Sequence, residues 1–240
     1  MADVSASSAR EFARGIAAFW EQRLGARLLG VYLIGSLAHG GFSPRYSDID
    51  MALTSEDGVG AGDLEAMRAH AAGLSPVHAA KLSLFWTDRG FTIGRFPPLD
   101  RLDYLDHAAP LVERARVGPP RPALAEVRAY LAGQPFSGWA DGARRFAALA
   151  ALEPEDRKPY LRALLYPARL VYSWQTGRMG SNDAAVEFLR AHAPDGLDTD
   201  LVARALQCRQ QARDPDHLFA ERATLLRQAE ACATLIAAAG

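Results

Sequence analysis

"GVYLIGSLAHGGFSPRYSDIDMALT", residues 30–54, is the stretch on which the fold turns. An apolar run rich in β-formers stops at Gly35-Ser36, a Gly-rich loop follows, and two aspartates then bracket an isoleucine. In a strand, residues i and i+2 share a face, so Asp48 and Asp50 point one way while Ile49 and Met51 point into a core. Two carboxylates about 5–7 Å apart repel each other unless a cation sits between them.

Hard divalent cations prefer such oxygen ligands, and Mg²⁺ typically takes one or two carboxylates together with substrate phosphates. The Gly-Ser turn can supply the phosphate half of the site. Glycine permits close backbone approach, backbone N–H groups cradle an anion, and the Ser36 hydroxyl can donate to a phosphate oxygen. These parts describe a site for nucleotidyl transfer, with triphosphate on the turn, metal on the aspartates and attack at the α-phosphorus. Gly-Ser at a strand end, an eleven-residue loop and Asp-Ile-Asp occur in that order, which is far more specific than an isolated pair of aspartates.

Outward from this stretch, residues 8–23 carry apolar side chains at helical spacing after a Ser-rich start suited to capping. "RLLGVYLIGS" and "SDIDMALT" read as strands, "GAGDLEAMRAHAAGL" as a helix and "AKLSLFWTD" as a third strand. "GRFPPLDRLDY" has the Pro-rich punctuation of a linker. Helical patterns follow over 103–117, 122–133, 139–152, 158–176, 181–193, 198–212 and 217–238. The expected fold class is α/β (α+β): a polymerase-β-like domain with a mixed sheet over 1–98, then an all-helical bundle over 99–240. A cleft between two such domains is a common place for a ligand.

Composition narrows the function. A chain of 240 residues, 49% hydrophobic and 23% charged, is globular. Its net charge of −1 creates no bulk field for nucleic acid or an anionic membrane. Two cysteines, Cys208 and Cys232, match no metal or redox spacing and suit a reducing, cytoplasmic setting. The N-terminal stretch lacks the basic and apolar regions of a signal peptide, and no apolar run approaches the ~20 residues of a membrane span.

"LIGSLAHGGFSPRYSDIDMAL" resembles the signature of the DNA polymerase β-type nucleotidyltransferase superfamily. More narrowly it is similar to the aminoglycoside adenylyltransferases of the streptomycin/spectinomycin type, and "LLYPARLVYSWQTGRMGSNDAAVEFL", residues 164–189, is similar to a second pattern of that family. The resemblance implies an enzyme of antibiotic resistance, an adenylyltransferase that uses ATP and Mg²⁺. It implies Gly35, Ser36 and Ser47 around the triphosphate, and Asp48 and Asp50 as catalytic metal ligands. Arg169 would reach the nucleotide phosphates from the helical half, with Asn182 beside them.

The sequence departs from the family twice. A third carboxylate is expected at the start of the neighbouring strand, where "KLSLFWTD" offers Lys81 or Ser83. Asp88 stands at the other end of that strand, on the order of 15–20 Å away at ~3.3 Å per residue. Lys81 could contact a phosphate or act as a tethered cation. The family's phosphate-binding Lys is replaced by Asn182, which can donate a hydrogen bond but brings no charge.

His39 is a candidate base because histidine as a residue type titrates near neutrality, although a His in a loop is more often simply solvated. His78 and His107 are weaker candidates, and Arg45 could hold the distal phosphates. Glu153, Glu155 and Asp156 could meet a polycationic acceptor, but acids at a helix start also favour the macrodipole on their own. Trp139, Tyr160, Tyr166, Tyr172 and Trp174 read mostly as core.

The expected function is Mg²⁺-dependent transfer of AMP from ATP to a hydroxyl of a small polar acceptor, which for this family is an aminoglycoside. The alternative is a nucleotide-binding pseudoenzyme or regulatory protein that kept the fold with little turnover. Expected partners are a nucleoside triphosphate and a small-molecule acceptor, with no membrane. The net charge and the family-like helical half disfavour a nucleic-acid substrate.

Overall fold

A computed structural model describes residues 4–238. The chain divides into two compact units, one running to Arg121 and the other from Pro122 onwards. The first is built on a mixed five-stranded sheet of order β4-β3-β2-β1-β5. Its strands are β1 (Leu28–Leu33), β2 (Ile49–Ser55), β3 (Leu82–Asp88), β4 (Gly94–Arg95) and β5 (Ala109–Glu113). The β2–β3 pair is parallel; the other pairs are antiparallel. The helices of this unit are α1 (Ala6–Leu24), α2 (Ser36–His39), α3 (Ala61–Leu74), α4 (Pro76–Ala79) and α5 (Pro98–His107).

Strand alternation sorts the side chains onto two faces. Val31, Leu33, Ile49, Met51 and Leu53 pack with Phe12, Ile16 and Trp20 of α1 and Met67 and Ala71 of α3. Tyr32, Ile34, Ala52 and Phe85 point the other way and pack with Tyr104 of α5. Asp50 belongs to this second face. The Ser-rich start caps α1 as expected, with the Ser5 hydroxyl accepting from the Ser8 N–H at 3.1 Å.

Two stretches differ from the sequence reading. Pro98 occupies the first turn of α5, where its missing N–H costs nothing. That helix ends at His107, and β5 follows where residues 103–117 read as one helix. Ala, Leu, Glu and Arg favour helix, but pairing with β1 outweighs that bias. Pro110 is tolerated opposite Tyr32 because β5 is an edge strand. Near the C-terminus, residues 217–238 divide into a 3₁₀ turn at Pro215–Glu221 and a separate helix.

Among the described residues the second unit is all-helical: α6 (Leu124–Ala132), α7 (Gln134–Ala148), α8 (Arg157–Thr176), α9 (Asn182–His192), α10 (Thr199–Gln210) and α11 (Thr224–Ala237). α8 is the central helix and touches the other five. It carries Pro167 in its interior, so the carbonyl of Ala163 loses its helical donor. Trp139 of α7 supplies the replacement, its indole N–H donating to Ala163 O at 2.9 Å while its ring stacks on Tyr166 at 4.6 Å. Cys208 and Cys232 are free and buried. Burial pushes the Cys232 thiol up to about 12, which keeps it unreactive. No helix among the described residues is long and apolar enough to cross a membrane.

Trp139→Phe keeps the ring but leaves the Ala163 carbonyl without a donor in a buried site. The expected loss of stability is about 1–3 kcal/mol, the cost of an unmade buried hydrogen bond. An unchanged denaturation midpoint would show that the indole N–H is not what compensates for Pro167.

Candidate active site

The β1 strand runs through Ile34 into Gly35, which adopts φ 64° and ψ −154° before the one-turn helix α2. Positive φ is the first reason for glycine here. The second is steric: a Cβ at this position would lie 2.5 Å from Asp50 Oδ2 and 3.1 Å from Asp50 Cγ. The Asp50 carboxylate therefore sits directly against the turn, and a bond from Ile34 N–H to Asp50 O at 3.0 Å ties the two segments.

Ser36 and Ser47 also meet. The Ser36 hydroxyl donates to Ser47 Oγ at 3.1 Å, and Ser47 Oγ accepts from the Ser43 N–H at 2.8 Å. Ser47 is only 2% exposed, so its hydroxyl stitches the ends of the loop together. Ile49 and Met51 are fully buried, as alternation requires, while Asp48 and Asp50 keep partial solvent access. The turn, the loop serines and Asp50 lie together within the first unit, with Asp48 two residues before Asp50.

The parallel register settles the neighbouring strand. Ile49 stands opposite Leu82 and Asp50 opposite Ser83, so Ser83 shares the Asp50 face. Lys81 precedes β3, and its ammonium turns onto the loop, donating to Pro44 O at 2.7 Å and Arg45 O at 3.1 Å. It is a clamp on the backbone that leads into Asp48. Asp88 pairs with Ser55 at the far end of β3. There it accepts from the Thr92 hydroxyl and N–H, each at 2.7 Å, bonds that hold its pKa down at about 2.

One participant had no distinguishing signal in the sequence. Asp103 of α5 is 3% exposed and accepts from the Gly35 N–H at 2.6 Å. Asp100, Asp103 and Asp106 recur at three-residue spacing, and only the docking of α5 on the sheet selects the middle one. The Gly35 N–H is thus engaged by a carboxylate of the chain itself. His39 is not a solvated loop residue: its Nε2 lies 3.8 Å from Asp103 Oδ1 with a side chain 10% exposed. The His107 ring is 5.4 Å from that of His39. His78 is structural, bridging Ser75 Oγ at 2.7 Å and Ser8 Oγ at 3.1 Å.

Arg169 and Asn182 belong to the second unit. Arg169 is an exposed residue of α8, and Asn182 is the first residue of α9 after the Ser181 cap. Of the acids considered for an acceptor, Asp156 holds Arg145 at 2.9 Å. Among the described residues no three His, Cys, Asp or Glu side chains gather as a metal cluster. Asp48 and Asp50 carry hard oxygen donors, the ligand type that Mg²⁺ takes, and would be the residues to hold such an ion.

No protein-family model matches the chain, and no curated protein matches it. Among solved structures it is similar to the spectinomycin adenyltransferase AAD(9) from Enterococcus faecialis, crystallised with ATP and spectinomycin. The TM-score is 0.67 at 11% identity, over 92% of this chain and 99% of that one. The fold is nucleotidyltransferase-like. At that identity the likeness extends to the architecture, a mixed five-stranded sheet followed by a helical region.

In the first unit the Lys81 clamp carries a direct expectation. Lys81→Met removes the donors to the loop carbonyls and frees residues 44–47. Exchange of the Ser47 amide, which bonds Ser43 O at 2.9 Å, should quicken. A charge-assisted hydrogen bond is worth ~1.5–3 kcal/mol, so an increase of about tenfold or more is expected. Unaltered exchange at Ser47 would remove the clamp from the account.

Proposed function

We propose that the chain is a Mg²⁺-dependent nucleotidyltransferase that moves AMP from ATP to a hydroxyl of a small polar acceptor, in the manner of the aminoglycoside adenylyltransferases it resembles, in a cytoplasmic setting. One observation supports this reading: the Asp50 carboxylate lies directly against Gly35, as it would if the aspartate pair and the Gly-Ser turn served one site.

In the reaction the acceptor hydroxyl oxygen forms a bond to the α-phosphorus and its proton passes to water, while the bond from that phosphorus to the bridging oxygen breaks and pyrophosphate leaves with the electron pair. Asp48 and Asp50 would hold Mg²⁺, which when bound offsets phosphate charge. Ser36, beside Ser47, can donate to a phosphate oxygen, and Arg169 and Asn182 are the proposed phosphate contacts of the helical unit. The chain's nearest hydroxyl-bearing neighbour of Asp50 across the ladder is Ser83, which cannot take the acceptor's proton as a carboxylate would.

That serine also supports a second reading, a nucleotide-binding protein with little turnover. General-base assistance is typically worth 10²–10⁴-fold, so its absence gives a slow enzyme or a binding protein.

Calorimetry with and without Mg²⁺ tests the site. Mg²⁺ should tighten ATP binding, and Asp50→Asn should remove most of that tightening while leaving the fold intact. ATP affinity indifferent to both Mg²⁺ and Asp50→Asn would overturn the assignment.

Single-turnover AMP transfer separates the two readings. Ser83→Glu places a carboxylate opposite Asp50 and should accelerate transfer by ~10²-fold or more if a missing base limits the rate. Rapid transfer by the parent protein that Ser83→Glu slows would show that a native base acts elsewhere.

A further inference from the structure

The outer side of β3 is covered only in part. β4 pairs with Trp86 and Thr87 and goes no further, because Phe96 is followed by Pro97 and Pro98, which have no N–H with which to extend a ladder. The Ile49 N–H donates to Lys81 O at 2.8 Å, and in a parallel ladder alternate residues turn their backbone groups to the same neighbour. Ser83 and Phe85 therefore bond to β2. The N–H and C=O of Leu82 and Leu84 point away from the sheet.

Beyond them lies a cleft of about 390 Å³, walled by β3 on one side and by Leu64, Met67 and Arg68 of α3 on the other. No acidic residue lines it, and its two charged residues are Arg68 and Arg95. The Arg95 guanidinium is held over the Phe85 ring at 4.9 Å. Neither arginine has an ion-pair partner among the described residues, whereas Arg23, Arg27, Arg89 and Arg204 each hold a carboxylate. The edge thus presents free strand donors and acceptors, an apolar floor and positive charge in one place.

We propose that this cleft binds an extended acidic peptide segment of a partner protein, added to the sheet as a strand alongside β3. Main-chain groups of the segment pair with those of Leu82 and Leu84, an apolar side chain lies against Met67 and Leu84, and a carboxylate meets Arg68 or Arg95. A compact anion would satisfy the arginines and leave the strand groups unpaired. A second copy of this chain would bring an equally cationic edge against the first, and the two would repel.

Fluorescence anisotropy of a labelled peptide of alternating Val and Glu, with the intact 240-residue chain, tests the proposal. The acidic peptide should bind, and its Val-Lys counterpart should not. The double variant Arg68→Glu, Arg95→Glu should weaken binding by roughly tenfold or more, the scale of a lost charge-assisted contact. A peptide N-methylated on the amides that face β3 should lose affinity to a similar extent, which probes strand pairing without altering the protein. Leu84→Pro removes one outward N–H while sparing the ladder to β2, and should weaken binding with an unchanged circular dichroism spectrum. Three outcomes overturn the proposal: no binding of the acidic peptide, equal binding of its N-methylated form, or full displacement by glutarate at matched concentration. Sedimentation of the protein as a dimer that Leu84→Pro dissolves would also overturn it, since the occupant would then be a second copy.

Discussion

The parallel pairing of β2 with β3 is the constraint on which the rest of the first unit depends. With Ile49 opposite Leu82, every residue of one strand has its partner on the other determined. A slip of one residue would send Ile49 and Met51 to the Asp50 face and bury the carboxylates among Phe12, Ile16 and Met67. The cost of burying unpaired charge forbids that alternative. The same register sets Ser83 rather than Lys81 beside Asp50, and it turns the backbone of Leu82 and Leu84 outward.

A second constraint acts at Gly35. The turn must bring the end of β1 against Asp50, and a residue with any side chain would collide with that carboxylate. Positive φ adds to the exclusion. Asp103 then fastens the turn from the other side by accepting the Gly35 N–H. A nearly buried carboxylate needs donors; the Gly35 peptide N–H is one, and the His39 ring lies 3.8 Å from its other oxygen. The turn is therefore held between two carboxylates, one partly open to solvent and one enclosed.

Positive charge in this unit is distributed by the same need for partners. The Lys81 ammonium donates to backbone carbonyls of the loop that precedes the aspartates. A compact ammonium with three donors satisfies several such carbonyls at once. In the helical unit Trp139 solves a related problem, supplying the donor that Pro167 removes from α8. In both places a side chain from one element completes the backbone of another.

The sequence by itself determined the chemistry-bearing core of the first unit. Apolar alternation in "DIDMALT" and the Gly-Ser stop of β1 specify two strands and put the aspartates opposite the core, because side-chain period and glycine conformation are local properties. The helical texture after residue 122 is legible for the same reason. Tertiary structure alone decided what depends on partners distant in the chain. β5 forms although its residues favour helix, since pairing with β1 overrides propensity. Asp103 differs from Asp100 and Asp106 only by where α5 docks. His39, which reads as a loop residue, is enclosed beside that carboxylate. Whether Lys81 or Ser83 faces Asp50 is a matter of strand register and of which carbonyls lie within reach of an ammonium, and neither is written in the spacing of residues along one strand.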